Sequence, residues 1–570
     1  MKINNFKTKI LALTLTVITS FSALSACRPK EDNGIEQVDT TKTQLNVGVF
    51  NDGTGAYWLE EAKKDFEAYY AEKSFEKGKK GVQIVIDPQK DRFKSDVLIS
   101  TMKSTENNGN TLYVVPTNQK NFYNENLIVD ITDAVTEKVY DDNGDYAPGA
   151  NATKSIIDFM YPEYLKDLKI DGKYYSVPWR TYFWGVTYDA DLFNEKSLFI
   201  KKNGDVGAKQ KDILTQNCST GPDGVYGTSD DGMPNDWNTF IKLISAMVSK
   251  NVIPFTWSYQ ENYQRREFFN SVWANYEGAN DFSLNYSFSG TDSQFGEINE
   301  NNYGKLISQE GRRAALKACK DVTSRKEYYS SRVKSNNYTD AQYEYAHSIA
   351  DDKPIAMLFE GSYWEVEAKG TFDKMAVFNS GYGYGKRNFK WLPMPNFTDV
   401  DGIANQDTAR LNEAGKYDRV LNGTSGKGTG FYISKKNKFD QATYDTQVEI
   451  AKLFIQFVHS RKQLANFTKN TGGAFRPFNF TISDEELNEW PGVAKSIYVF
   501  IKEGATIVDE TMNSSVRNNN PTRFAEGAWS FDHGDWKDAI HYFLDRPDDT
   551  VNGCFTYVER MLRSSFGHYE

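Results

Sequence analysis

Three short apolar runs, separated by segments of helical period, open the folded part of this chain and constrain its architecture most. Leu45-Asn-Val-Gly-Val-Phe50 alternates as a strand does, Val82-Gln-Ile-Val-Ile86 is a second run, and Thr111-Leu-Tyr-Val-Val115 a third. Between them Leu59, Ala62, Phe66, Tyr69 and Lys73 recur at helical spacing, and Phe93, Val97 and Met102 mark a second helix. Parallel strands need a crossover, usually a helix, so this order predicts an α/β fold with a mostly parallel sheet covered on both faces. Ligands of such sheets sit beyond the carboxyl ends of the strands, which here are the loops Asn51–Trp58 and Pro116–Phe122.

The texture continues downstream. Val186-Thr-Tyr188 and Ala356-Met-Leu-Phe359 read as strands. Trp237, Phe240, Ile241, Ile244, Met247 and Val248 share one face of a helix over Asp236–Lys250, and Ile450, Leu453, Phe454, Phe457 and Leu464 do so over Val448–Asn466. A chain of 570 residues exceeds what one hydrophobic core supports, so at least two domains follow.

The N-terminus sets the compartment. Lys2, Lys7 and Lys9 precede an uncharged apolar run from Ile10 to Phe21, too short to span a bilayer and ordered like a secretory signal. Leu24-Ser-Ala-Cys27 resembles a bacterial lipobox, which implies a signal peptide over 1–26, cleavage before Cys27 and a lipid on its sulfur. The competing reading is an ordinary signal with a chance cysteine. Residues 27–43 are polar and poor in apolar side chains, which suits a tether. No later run reaches transmembrane length. The net charge is −10, from 67 basic and 77 acidic residues, and removing the three leader lysines takes it to −13. Nucleic acid would be repelled. Cys218, Cys319 and Cys554 stand far apart, so spacing fixes no pairing.

Residues 172–193, GKYYSVPWRTYFWGVTYDADLF, hold eight aromatic side chains with an arginine among them. A strand needs apolar residues but not so many rings bearing a hydroxyl or an indole N–H. Flat rings of this kind cover the apolar C–H face of a sugar, while Asn, Asp, Arg or Gln take its hydroxyl rim. The bland alternative, that any one ring is core, carries equal weight.

Asp171-Gly-Lys-Tyr-Tyr-Ser-Val-Pro178 leading to Val186-Thr-Tyr-Asp-Ala-Asp-Leu-Phe193 resembles a segment of family 1 extracellular solute-binding proteins, the maltose-binding-protein-like lipoproteins of ABC importers. So do Pro234-Asn-Asp-Trp-Asn-Thr-Phe240, Ile355-Ala-Met-Leu-Phe-Glu-Gly-Ser-Tyr-Trp364, Gly430-Phe-Tyr-Ile-Ser-Lys435 with the following helix, and Thr471-Gly-Gly-Ala-Phe-Arg-Pro477. Each motif is weak alone; their shared order across nearly the whole chain carries the likeness. It implies a two-lobe, periplasmic-binding-protein-like (type II) α/β fold, with hinge segments crossing between lobes and a ligand cleft. Lobe 1 would be 44–177 and 383–480, and lobe 2 would be 178–382 and 481–570. The ligand contacts it implies are Asn51, Asp52 and Trp58 after the first strand, and Thr117, Asn118 and Gln119 after the third. Trp179, Arg180 and Tyr182 come from the crossing, with Glu261, Tyr263, Tyr363 and Trp364 from lobe 2. Arg523 and Trp529, on the loosest match, would close the cleft near the C-terminus. Replacing Trp364 by Ala is then expected to abolish binding and leave the fold intact.

Other constellations count for less. In Gly221-Pro-Asp-Gly-Val-Tyr-Gly-Thr-Ser-Asp-Asp-Gly232, Asp223, Asp230 and Asp231 could supply oxygens to a structural calcium ion; a solvated acidic turn stands equally beside that. Gly423–Gly430 fails as a phosphate loop because Lys427 is followed by Gly, and Gly381–Gly385 suits a lobe crossing better than a nucleotide motif. His459 falls on the polar side of its helix, and no H-E-x-x-H or G-x-S-x-G occurs. The expectation is a monomeric receptor, lipid-anchored on the extracellular face of a bacterial membrane. It captures a carbohydrate, expected to be an oligosaccharide, by hinge closure and passes it to permease subunits, with no catalytic residue and no cofactor beyond the calcium. The rivals are a lipid-anchored glycan-degrading enzyme, which needs a carboxyl of strongly raised pKa, and a peptide receptor of the same transport class.

Overall fold

The structure, a computed structural model, describes residues 37–165, 168–406, 419–424, 428–510 and 527–566, with Ser514, Val516, Arg517, Arg523 and Phe524. Cys27, the leader before it and most of the expected tether lie outside the described residues.

Ten strands carry the architecture: β1 (Thr43–Phe50), β2 (Val82–Gln89), β3 (Leu112–Val115), β4 (Tyr182–Asp189), β5 (Ile253–Thr256), β6 (Ile355–Gly361), β7 (Phe389–Trp391), β8 (Val420–Thr424), β9 (Gly430–Ile433) and β10 (Thr506–Asp509). They form two separate sheets, one in the order β9-β3-β1-β2, the other β10-β8-β4-β6-β5 with β7 also on β4. In the first, β1 runs parallel to β2 and β3, and β9 runs antiparallel to β3. The second is mixed, because β4 runs against β6, β7 and β8. That direction has a simple cause. The chain enters β4 from the seam between the halves, whereas β6 and β8 end there, as the pairs Gly361 with Trp184 and Thr424 with Tyr182 show. The ends of β1 and β3 face the same seam, beside the start of β9.

Six helices bear on this arrangement: α1 (Tyr57–Tyr69), α2 (Trp237–Ser249), α3 (Asn262–Ser287), α4 (Gln441–Val458), α5 (Arg461–Thr471) and α6 (Gly492–Lys502). The expected periodicities are realised in part: α1 buries Trp58, Leu59, Ala62 and Phe66, but Tyr69 is exposed and Lys73 lies beyond the end of the helix, and α2 buries Trp237, Phe240, Leu243, Ile244 and Met247. Asp236 caps α2 by accepting from the Thr239 N–H at 2.8 Å, which satisfies one of the free donors of its first turn. In the second half Phe359 lies stacked between Phe268, at 4.3 Å, and Trp257, at 5.3 Å. Each such buried ring contributes about 2–3 kcal/mol of transfer free energy. Cys218, Cys319 and Cys554 are buried free thiols.

The structure departs from the sequence reading in several places. The chain returns to the first half between Thr424 and Gly430 rather than at 383, because β7 and β8 both pair with β4. Gly381–Gly385 is therefore no crossing; Ser380–Tyr382 is a single tight turn after a helix. The segment 448–466 belongs to two helices, broken at His459 and Ser460. His459 turns inward there, buried, its Nδ1 2.7 Å from the Ile455 carbonyl oxygen and its ring against Phe431 and Phe478. Burial, then the nearby Arg476 charge, hold it well below the usual histidine range. Val97 is half exposed, since Leu98 and Met102 carry the buried face of their helix.

Candidate functional site

Three stretches cross between the halves and lie side by side. Phe431 N–H donates to the Val177 carbonyl at 2.9 Å, Thr181 and Phe475 exchange backbone bonds at 2.6 and 3.0 Å, and the Arg180 N–H reaches Thr429 Oγ1 at 3.3 Å. Beneath them is a ring core. Trp58 contacts Trp179, Phe431 and Phe467 with centroids 5.1–6.5 Å apart, and the buried Arg476 guanidinium lies 4.8 Å from the Trp58 ring. Trp58 and Trp179, expected against ligand, are thus structural members of the hinge, at 2% and 0% exposure. Most of the aromatic run 172–193 serves the same end: Tyr174, Phe183, Tyr188 and Phe193 are also core.

A smaller set faces the seam. Asp52, in the turn after β1, accepts from Thr54 Oγ1 at 2.8 Å, from the Thr54 N–H at 3.1 Å and from Tyr182 Oη at 3.2 Å, and it is ion-paired with Arg180. Burial alone would raise its pKa; the Arg180 charge and the Thr54 bonds outweigh that and hold the carboxyl below the ordinary range. The Arg180 guanidinium lies 3.8 Å from the Trp179 ring and 4.7 Å from that of Tyr182. Its Nε and Nη1 are buried with no hydrogen-bond partner among the described residues. Tyr182 leans on Tyr363 at 4.5 Å, and Trp184 stands edge-on to Tyr363 at 6.0 Å and to Tyr263 at 5.1 Å. Trp184 donates its indole N–H to Thr424 Oγ1 at 2.8 Å, so two crossings fix its plane. Trp184, Tyr263 and Tyr363 are each partly exposed.

Carboxyl groups lie behind these rings. Glu360, at the end of β6, accepts from Gln264 Nε2 at 2.5 Å, Gln342 Nε2 at 3.2 Å and the Gly361 N–H at 2.8 Å. Gln342 Nε2 also donates to Glu367 Oε2 at 2.7 Å. Burial, and then the Glu367 charge, raise Glu360 well above the ordinary carboxyl range. Glu367 is raised too, by burial first and, across the seam, by Asp52. Burial and then the charges of Glu360, Glu261 and Glu367 raise Tyr263. The two halves meet here closely: a Cβ placed on Gly53 would lie 2.2 Å from Glu367 Oε1.

The other expected contacts go elsewhere. Trp364 is 0% exposed, donates to Thr187 Oγ1 at 3.2 Å and packs on Tyr345 and Phe389. It is a core ring, because the turn after β6 points Tyr363 rather than its successor at the seam. Trp529 is likewise sealed, 2.9 Å from Asn285 Oδ1 and against Phe288 and Phe566. Arg523 is exposed. Asn118 caps the helix Gln119–Asn124, Gln119 is bonded to the Leu168 carbonyl and to Ser176, and Thr117 is buried. Asn51 is partly exposed beside Asp52, its backbone N–H on the Gln89 carbonyl. Glu261 precedes α3 and accepts from the Ser258 hydroxyl. Of the acidic loop, Asp223 Oδ1 takes the Val225 N–H, Asp230 Oδ2 the Asp223 N–H and Asp231 Oδ2 the Gly227 N–H. The cation beside it is Arg419, 3.7 Å from Asp230 and 3.2 Å from Glu503. Among the described residues no group of three or more histidine, cysteine or carboxylate side chains is arranged to hold a metal ion.

Sequence reasoning missed Trp184, Gln342, Glu360 and Glu367. Trp184 had a signal: it lies two residues past Tyr182 on one strand, hence on the same face. The others are brought to the seam by tertiary folding alone.

Two α/β halves, three adjacent crossings and a ring-and-carboxylate wall at their junction define a two-lobe architecture suited to holding a ligand between the lobes. No family model and no curated protein matches the chain. Among solved structures it is similar to a chitin oligosaccharide binding protein, with 14% identity, 92% of this chain and 99% of that one covered, and a TM-score of 0.49. Maltose-bound MalE3 of T. maritima gives 14%, 91% and 99% coverage and 0.49, and RafE in complex with raffinose gives 13%, 91% and 99% and 0.49. Likeness at this level leaves the ligand to be read from the site itself.

Proposed function

We propose that this chain is a carbohydrate receptor of an ABC importer, anchored through a lipid on Cys27 to the outer face of the cell membrane. It acts as a monomer, takes a carbohydrate, an oligosaccharide in this reading, between its lobes, and yields it unchanged to permease subunits. The observation that carries the reading is the pairing of partly exposed rings, Trp184, Tyr263 and Tyr363, with the Asp52–Arg180 hydrogen-bonding pair from the other side of one seam. Rings cover the C–H face of a pyranose and the polar pair takes its rim. Ligand contacts to both lobes favour the closed form. No helix among the described residues is long and apolar enough to cross a membrane, which fits attachment by a lipid.

The enzymatic alternative needs a raised carboxyl offered to the substrate. Glu360 has the raised pKa but is 1% exposed, and its oxygens are occupied by Gln264, Gln342 and the Gly361 N–H. A thermal-shift screen against mono- and oligosaccharides tests the proposal, since ligand at 100 times its Kd adds about 2.7 kcal/mol. No shift across the panel, or steady release of cleaved product, overturns it.

A further inference from the structure

Strand β7 is covered differently on its two edges. One edge pairs with β4, Lys390 opposite Tyr188 and Trp391 opposite Thr187, towards the end of β4 remote from the seam. The other edge meets no strand among the described residues and is met instead by α6. Trp391 N–H donates to Ser496 Oγ at 2.8 Å, and a Cβ on Gly492 would lie 2.4 Å from the Phe389 carbonyl oxygen. Between strand and helix lies a cavity of about 210 Å³. Trp391 and Phe500 give it an aromatic wall, while Lys390 from β7 and Lys495 from α6 line it from the two elements.

The chain has 77 acidic residues against 67 basic ones, yet among the described residues neither of these lysines is ion-paired with a carboxylate. Lys390 is half-buried, and its Nζ has no hydrogen-bond partner there; Lys495 Nζ has the neutral Asn488 Oδ1, at 2.5 Å. The acids that bear on Lys390 are Asp191 and Glu503, and both are engaged elsewhere. Glu503 takes the Ser229 N–H at 2.9 Å and its hydroxyl at 2.5 Å and pairs with Arg419 at 3.2 Å, and Asp191 takes the Asn388 N–H at 2.9 Å. Burial first, then the Lys495 charge, hold the Lys390 amine below the ordinary lysine range. An ammonium group withdrawn from water beside a second one is costly until an anion joins them. The start of α6 adds no anion site of its own, because the Val493 N–H is already on Glu365 at 2.8 Å.

We propose that this cavity binds a small organic carboxylate, its charge between Lys390 and Lys495 and its carbon body against Trp391 and Phe500. Its size sets the limit, since drug-sized ligands occupy about 300–1,000 Å³. The lining favours a carboxylate over a phosphate. The Ser229 and Ser496 hydroxyls there already donate to Glu503 and to the Val493 carbonyl, so the extra oxygens of a phosphate would find few donors beyond the two amines. None of the residues placed at the seam lines the cavity except through their neighbours in sequence, and the site does not rest on the carbohydrate reading.

The test is calorimetric titration of the full soluble chain with benzoate, inorganic phosphate and benzyl alcohol, with no glycan present. Benzoate is expected to bind with a Kd below about 1 mM, and phosphate and benzyl alcohol each at least about tenfold more weakly. Lys390→Met keeps the apolar stem and removes the charge, and is expected to weaken benzoate about tenfold. Thermal melting checks its folding, and Lys495→Met, with the same expected loss, replaces it should it melt early. Benzyl alcohol bound as tightly as benzoate would remove the charge from the site, and phosphate bound as tightly would remove the apolar body; either result overturns the proposal. So does benzoate binding that the folded lysine variant leaves unchanged, or no benzoate binding up to about 10 mM.

Discussion

Substituting Gly53 by Ala isolates the contact between the lobes. Gly53 lies in the turn after β1, and its φ is not in the left-handed region, so the backbone accepts a side chain. Space does not: the added Cβ would sit 2.2 Å from Glu367 Oε1 and 3.1 Å from its Cδ. The carboxylate must swing away, and in doing so it loses the 2.7 Å bond from Gln342 Nε2. A hydrogen bond to a charged group is worth about 1.5–3 kcal/mol, and overpacking costs a similar amount, with relaxation of a flexible side chain recovering part of both. A net cost of about 1–2 kcal/mol, borne only when the lobes are together, weakens binding by roughly five- to thirtyfold. Calorimetry with the glycan that most stabilises the wild-type protein reads this directly, and melting of the ligand-free protein supplies the control. Weakened affinity with unchanged melting is the expected result. Unchanged affinity with lowered melting would mean that Gly53 and Glu367 touch permanently, and would refute closure across this contact.

Three further outcomes follow from the same geometry. Trp184→Ala removes a ring held by Tyr263, Tyr363 and Thr424, and is expected to weaken glycan binding about tenfold or more in the same calorimetric assay. Trp364→Ala empties a sealed core site and should cost about 3–5 kcal/mol in denaturant unfolding, acting on the fold and not on the ligand. Glu365, 1% exposed and bonded to the Val493 N–H at 2.8 Å, has its pKa pushed by burial from 4.5 to about 8. The folded state then holds a proton that the unfolded state releases. Its penalty is absent below pH 4.5, grows as pH rises toward about 8 and is complete above that, on the order of 5 kcal/mol. Glu365→Gln should flatten the fall in stability over that window, and an unaltered slope in pH-dependent melting would show that the carboxyl ionises freely.

Local pattern was enough for the first sheet. β1, β2 and β3 follow from alternation and short apolar runs, and α1 and α2 from their spacing, since each of these elements buries the face its sequence marks. The crossing at 178–181 was legible too, from its motif. The return was not: β7 and β8 are three and five residues long, and only their pairing with β4 assigns them to the second half. Within the site the difficulty was direction. Trp179 and Trp364 have the same composition signal as Trp184, yet the first two point into the core. Glu360 and Glu367 look like any other acid in a chain that holds 77 of them, and acquire their character from Gln264, Gln342 and burial. Asp52 and Arg180 were each expected against ligand, and their pairing with one another was not read from the sequence.

The most direct measurement is a crystal structure of the protein grown with the glycan that gives the largest thermal shift. The sugar should lie between the Asp52–Arg180 pair and the rings of Trp184, Tyr263 and Tyr363, intact and in contact with both lobes. A glycan bound on one lobe alone, or outside this seam, would contradict the account.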